Sequence, residues 1–194
     1  MIAFTSAIVS TVIGTFTAYA LYKFNFRGKK AFQSLLNLPI ITPDIVIGIG
    51  LLLFYVMINF TLGYYSVLFA HITFNIAYTT LIVSTRFHYI DVNLENAAID
   101  LGAKPFLAFR YAIVPAIMPG IIAAILIAFT LSWDDFIVSF FTSGVGTTTL
   151  PVRVYSMIKM GVNPQINAIS TITLIVSLIL IIIALKLQKS KIAT

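Results

Sequence analysis

Three of the six acidic residues sit where acids are expensive. Asp44, Asp134 and Asp135 interrupt long runs of Ile, Leu, Val, Phe and Ala. A carboxylate in hydrocarbon costs roughly 2.5–3.5 kcal/mol on insertion scales, so one that persists there usually faces a bundle interior or a wet path. A carboxylate so placed can cap a helix break, bind a cation through charge-assisted hydrogen bonds, or share a proton in an aspartyl dyad. The dyad needs two carboxylates at close range. Asp134 and Asp135 are neighbours whose side chains diverge by about 100° on a helix, and Asp44 belongs to a different run. No Ser/His pair at membrane depth is apparent, so an intramembrane enzyme is the minor reading. His71 and His88 are isolated, and the chain has no Cys. Neither imidazole has a carboxylate at ligand spacing, so no metal site is expected. A hydrogen bond between helices is the expected role of His71.

These acids must be positioned by membrane-spanning helices. The chain has 194 residues, of which 60% are hydrophobic and 9% charged, against about 25% charged in a soluble domain. So few charges cannot cover a soluble surface. A helix crosses a bilayer with about 20 apolar residues, and five segments qualify: 2–22, 32–60, 64–85, 116–141 and 167–185. The runs are continuous, not alternating with period two, which argues against a β-barrel. The expected fold is all-α, a polytopic transmembrane bundle in a single domain over residues 1–194.

The basic residues orient the bundle. Ten of the twelve lie on one side: Lys23, Arg27, Lys29, Lys30, Arg86, Lys104, Arg110, Lys186, Lys189 and Lys191. Only Arg153 and Lys159 lie on the other. That bias makes the first side cytoplasmic. It also accounts for the net charge of +6, so no nucleic-acid partner is needed. With five spans and an inner C-terminus, the N-terminus falls outside without a charged flank. A sixth span missing upstream is the simplest expectation.

Within the second run, Pro39 and Pro43 predict a kink or break. Asp44 then either caps that break or lines the path, at a depth between the cytoplasmic half and the middle. Gly48 and Gly50 permit close helix contact. On the outer side, residues 142–165 form the largest loop. In it Val154, Met157 and Ile158 give one apolar face of a short helix, with Arg153, Ser156 and Lys159 opposite.

The inner loop, residues 87–115, holds a polar stretch unlike its surroundings: "LENAAIDLGAKPFLAFRYAIVP" (94–115). Asp91 or Asn93 suits the N-cap of a helix starting near Leu94. Gly102 suits a left-handed C-terminal stop, and Pro105 the first turn of a second short helix. Pro115 then introduces the next span. Ala97, Ala98 and Gly102 leave a surface with little side chain, open to close approach by another backbone. A plain loop remains the alternative.

The sequence "ENAAIDLGAKPFLAFRYAIVP" resembles the EAA loop of bacterial ABC-transporter permeases. Ala97, Ala98, Gly102 and Pro115 fall at the family positions. Asn96 stands where the family usually has Glu, with Glu95 one place early, and Ala112 and Val114 replace the usual Ile and Leu. "YKFNFRGKKAF", "TPDIVIGIGLLLF", "FAHITFNIAY", "FTLSWDDFIVSFFTSG" and "LPVRVYSMIKMGVNPQINAISTI" are likewise similar to the second permease subunits of spermidine/putrescine importers.

The resemblance implies a type I ABC importer permease fold, with six spans in the family and five here. It implies that Glu95, Asn96, Ala97, Ala98, Asp100, Gly102, Ala103 and Pro115 belong to the loop that couples to a cytoplasmic ABC ATPase dimer. The other implied partners are a homologous permease subunit and an extracytoplasmic polyamine-binding protein, in a bacterial cell membrane. No G-x-x-x-x-G-K-[ST] phosphate loop is present, so ATP and Mg are expected on the ATPase and no cofactor on this chain. Another small solute remains possible as cargo, because the EAA loop reads the ATPase. If the cargo is a polyamine, its ammonium groups need carboxylates and aromatic faces. Asp134, Asp135, Trp133, Phe136 and Phe140 supply both, and at least one of the two acids is expected on the path. Capping, or pairing with a partner subunit, is the competing role. The outer helix could receive the binding protein or merely plug the bundle's mouth.

Overall fold

The computed structural model describes residues 1–91, 93–159, 161 and 164–189. Lys191 and parts of the loops 87–115 and 142–165 therefore lie outside the described residues. Among the described residues the chain is helical, with no strand. The elements are α1 (Ile2–Lys23), α2 (Lys29–Ile41), α3 (Asp44–Met57), α4 (Tyr64–Phe87), α5 (Leu94–Asp100) and α6 (Pro105–Ala108). A π-helical turn (Phe109–Ile113) leads into α7 (Val114–Asp134), followed by α8 (Ile137–Thr142), α9 (Leu150–Lys159) and α10 (Pro164–Lys189). Ile2–Lys23, Tyr64–Phe87, Pro105–Asp134 and Pro164–Gln188 are each long and apolar enough to cross a membrane.

The second run is more than kinked. Its two halves, α2 and α3, are bent by 109°. Pro39 is carried inside α2, whereas Thr42, preceding Pro43, is extended and ends that helix. The proline ring excludes the residue before it from helical geometry, and Pro43 lacks an N–H to continue the ladder.

The fourth run also differs from a straight 116–141 span. It starts earlier, at Pro105, and ends at Asp134. Pro115 therefore does not open the span but sits in the first turns of α7. The wide turn just before it, where the Val114 N–H reaches back to the Phe109 carbonyl, makes room for the proline ring without a break. The second short helix consequently runs on into the span.

The core is built from small and hydroxylated residues. Water gives no drive to bury one apolar helix against another inside a bilayer, so close packing and interhelical hydrogen bonds hold the bundle. On α1 the buried face is Ala3, Ser6, Ala7, Ser10, Thr11, Gly14, Thr15 and Ala18. The Thr79 hydroxyl of α4 donates to the Ser10 carbonyl at 2.9 Å. At Gly14 a Cβ would run into the Thr79 side chain and the Thr80 backbone. Gly14→Leu is therefore expected to destabilise the α1–α4 pair by about 1–3 kcal/mol or more, read as a lower unfolding temperature in detergent. Gly120 of α7 makes similar room for the buried Arg86 of α4. That guanidinium donates to the Leu187 carbonyl near the end of α10 at 2.5 Å, where a cation complements the helix dipole.

Candidate functional site: an acidic cavity and an exposed elbow

The break after Asp134 creates the first site. Asp135 has extended backbone geometry, and its carboxylate accepts from the Val138 N–H at 3.2 Å and the Ser139 N–H at 2.7 Å. These bonds satisfy the free amides that open α8, so the acid itself terminates one helix and starts the next. His71 of α4 completes the arrangement. Its Nε2 lies 3.2 Å from the Asp135 carboxylate and 3.0 Å from the Ser139 hydroxyl, while Nδ1 lies 2.5 Å from the Ser132 hydroxyl. The expected interhelical role of His71 holds, but its isolation does not. The carboxylate partner comes from 64 positions away and was invisible to local spacing. Two such groups make no metal centre, and no cluster of three or more metal-binding side chains occurs among the described residues.

Asp135 is thus held by hydrogen-bond partners within the chain. Asp134 is different. It is exposed at the last residue of α7, where a negative charge opposes the helix dipole, and among the described residues it has no ion-pair partner. Asp44, exposed in the first turn of α3, gives no side-chain cap. The capping role open to Asp44 is not used, whereas the one open to Asp135 is.

The three acids line one cavity of about 540 Å³ with Phe74, Tyr78 and Phe136. Asp44 was expected far from the other two. The sharp bend at Pro43 and the packing of α3 against α8 bring it to the same wall. Phe74 and Tyr78, one helical turn apart on α4, were not singled out in the sequence. An aromatic pair at that spacing is ordinary in a core. Trp133 is elsewhere, stacked on Phe129 at 5.6 Å and facing a different cavity with Thr147 and Thr149. Phe140 packs on Phe136 at 5.5 Å, behind the cavity wall.

The outer helix α9 forms as predicted, but its inward face is rotated. Val152 is buried, while Ile158 is exposed. Tyr155 meets Phe136 at 4.7 Å between ring centroids. That contact packs α9 against the residue that opens α8.

The second site is the inner elbow. Asn93 precedes α5, although its side chain makes no cap; instead the Asp91 carboxylate accepts from the Asn93 N–H at 2.9 Å. Gly102 has φ +90°, donates to the Ile99 carbonyl at 2.8 Å, and is followed by an Ala103 N–H bonded to Ala98 at 3.1 Å. This pair of hydrogen bonds is the Schellman stop. Pro105 opens α6 as expected. The turn leaves a raised apolar edge: Leu101 is 89% and Phe106 64% exposed, beside exposed Ile99 and Leu107. Asn96, Ala97, Asp100 and Gly102 are exposed around it, Pro115 too, and Ala98 and Ala103 partly so. Glu95 turns the other way. It is buried, accepts from the Tyr19 hydroxyl at 2.7 Å and pairs with Lys23. This acid ties the elbow to the inner end of α1, which the sequence reading had not foreseen.

The family described as binding-protein-dependent transport system inner membrane component matches residues 10–190. This chain belongs to that family. It is a membrane-embedded permease subunit of a transport system, with the fold of an ABC importer permease. The spermidine/putrescine transport system permease protein PotC of Haemophilus influenzae is 39% identical over 183 residues, covering 94% of this chain and 71% of the relative. PotC of Escherichia coli is 41% identical over 186 residues, covering 96% and 70%. The putrescine permease PotI of Escherichia coli is 41% identical over 180 residues, covering 89% and 64%. Among solved structures, the MetNI methionine ABC transporter in inward-facing conformations superposes with a TM-score of 0.74. It covers 97% of this chain and 90% of that one, at 18% identity, a likeness that establishes the fold alone.

Proposed function

We propose that this permease carries polyamines, and that Asp44 and Asp134 recognise their ammonium groups. The observation that carries the reading is a single cavity holding two carboxylates without internal counter-ions beside Tyr78 and Phe136. An ammonium needs an acceptor charge and gains from an aromatic face, and a methylene chain suits the rest of the wall. The named substrates of PotC and PotI support the same assignment. Asp135 serves as a positioning residue, holding the break that presents Asp134.

The elbow docks a cytoplasmic ATPase dimer. Leu101 and Phe106 provide apolar anchors, and Gly102 lets a partner backbone approach. Asn96, in place of the family's Glu, contributes a neutral contact there. Hydrolysis of ATP, with its Mg, takes place on that ATPase, since this chain has no phosphate loop. A homologous permease completes the path, and a polyamine-binding protein delivers cargo to the outer side near α9.

The test is uptake of labelled spermidine and putrescine by the assembled transporter, with methionine and maltose as controls. Polyamine uptake is expected, and Phe106→Asp is expected to abolish it together with ATPase co-purification. Truncating one central anchor typically costs 2 kcal/mol or more, about 30-fold in affinity. Uptake of a control solute with none of a polyamine overturns the cargo assignment. Full ATPase retention by Phe106→Asp overturns the docking assignment.

A further inference from the structure

Of the seven residues of α5, Glu95 alone is buried. Apolar surroundings are at hand, since Tyr19 packs on Phe109 at 4.5 Å and on Phe87 at 6.3 Å between ring centroids. The residue that sinks the helix is a carboxylate all the same. Lys23 pairs with it, and the Tyr19 hydroxyl donates to it at 2.7 Å while accepting from the Lys23 ammonium at 2.9 Å. The three groups close a triangle between the elbow and the last turns of α1.

Such a triangle is weak ground for stability. Replacing a buried ion pair by apolar residues of similar volume often leaves a protein as stable or more so. What the charges supply, and apolar packing does not, is a contact of fixed direction that is either made or broken.

Helix α1 carries that contact away from the elbow. It is one unbroken helix of 22 residues, and about 20 Å of it separate Tyr19 from Ser6. There the buried Ser6 hydroxyl lies 3.0 Å from that of Ser132, close to the end of α7. The Ser132 hydroxyl is the one that meets His71 Nδ1. His71 in turn lies against Asp135, and Asp135 holds the break that presents Asp134. Polar side chains thus fasten α1 at both ends, to the elbow at one and to the helix break at the other.

We propose that α1 is a transmission rod between the elbow and the acidic cavity, latched by Glu95 and Lys23 at one end and by Ser6 and Ser132 at the other. The elbow acts on α7 through the continuous chain and on α1 through Glu95, so its movement reaches the Asp135 break along two helices. Contiguous contacts joined by rigid elements carry coupling between distant sites in this way. Glu95 and Lys23 are positioning residues, acting on the cavity through α1. This inference rests on the reading of the elbow as the ATPase dock.

The test is the amount of spermidine taken up per ATP hydrolysed by the assembled transporter in proteoliposomes. Glu95→Gln keeps an acceptor for Tyr19 and removes the charge. It is expected to lower that ratio about 2- to 30-fold, the range over which contacts along a coupling network act, with ATPase co-purification and hydrolysis unchanged. The charge swap of Glu95→Lys with Lys23→Glu is expected to recover the ratio. Ser6→Ala is expected to lower it as well. Thr17→Ala is expected to leave it alone, because the Thr17 hydroxyl bonds within α1, to the Ile13 carbonyl at 2.8 Å. An unchanged ratio in Glu95→Gln overturns the rod, and the dock still stands if Phe106→Asp loses the ATPase. Uptake, hydrolysis and unfolding temperature that fall together in Glu95→Gln, without rescue by the swap, also overturn the rod, since that pattern marks a packing contact.

Discussion

Asp134→Asn is expected to lower polyamine uptake about 10- to 100-fold, while the amount of folded protein stays the same or rises slightly. The uptake loss follows from removing one charge-assisted hydrogen bond to an ammonium, about 1.5–3 kcal/mol. The sign of the stability change follows from the place of Asp134 at the C-terminal end of α7. A carboxylate there opposes the helix dipole, and its neutralisation returns about 0.3–1 kcal/mol. No folded-state partner is lost, since Asp134 stands outside the ion pairs of the described residues. Initial-rate uptake together with thermal unfolding in detergent measures both quantities. Normal uptake at normal expression would remove Asp134 from the path.

Asp135→Ala is expected to do the reverse: about 3–5 kcal/mol of destabilisation, and loss of uptake mainly through loss of folded protein. The substitution strips His71 of its carboxylate partner and leaves two amides at the start of α8 unpaired. Breaking a buried pair from one side is costly because the remaining polar groups stay buried without partners. His71→Leu removes the other half and is expected to cost less than the sum when combined with Asp135→Ala, because the two side chains share one interaction. Unfolding temperatures of the two single variants and the double variant give that coupling directly. Strict additivity would mean that the His71–Asp135 contact contributes nothing. The two neighbouring acids are thus expected to fail in opposite ways, one in transport and one in folding.

The same contrast marks the limits of reading the sequence. The elbow was legible because its signals are local. Gly102 can adopt positive φ at low cost, Pro105 is pre-set for a first turn, and both act within six residues. The spans were legible because hydrocarbon imposes a length on apolar runs. Even Pro43 announced a break. Its angle of 109° was not legible, since the two halves are set by what α2 and α3 each pack against, α4 and α8. The ends of the fourth span were misread for a related reason. Asp135 stops the helix through a capping bond that competes with the helical ladder, and apolar content on either side gives no hint of it.

Sequence alone pointed to a helical membrane protein, to one loop that folds as a Gly–Pro elbow, and to three acids out of place in apolar surroundings. These conclusions rest on composition and on interactions between near neighbours, which the order of residues specifies directly. Tertiary structure decided which of the two neighbouring acids is held by partners and which stands without an ion pair, that Asp44 shares a wall with Asp134, and that Glu95 faces Lys23 and Tyr19. Those outcomes depend on pairing across helices: 64 positions separate His71 from Asp135, and 72 separate Lys23 from Glu95. A charge in a bilayer is fixed by whichever partner the packing delivers, and only the assembled bundle names that partner.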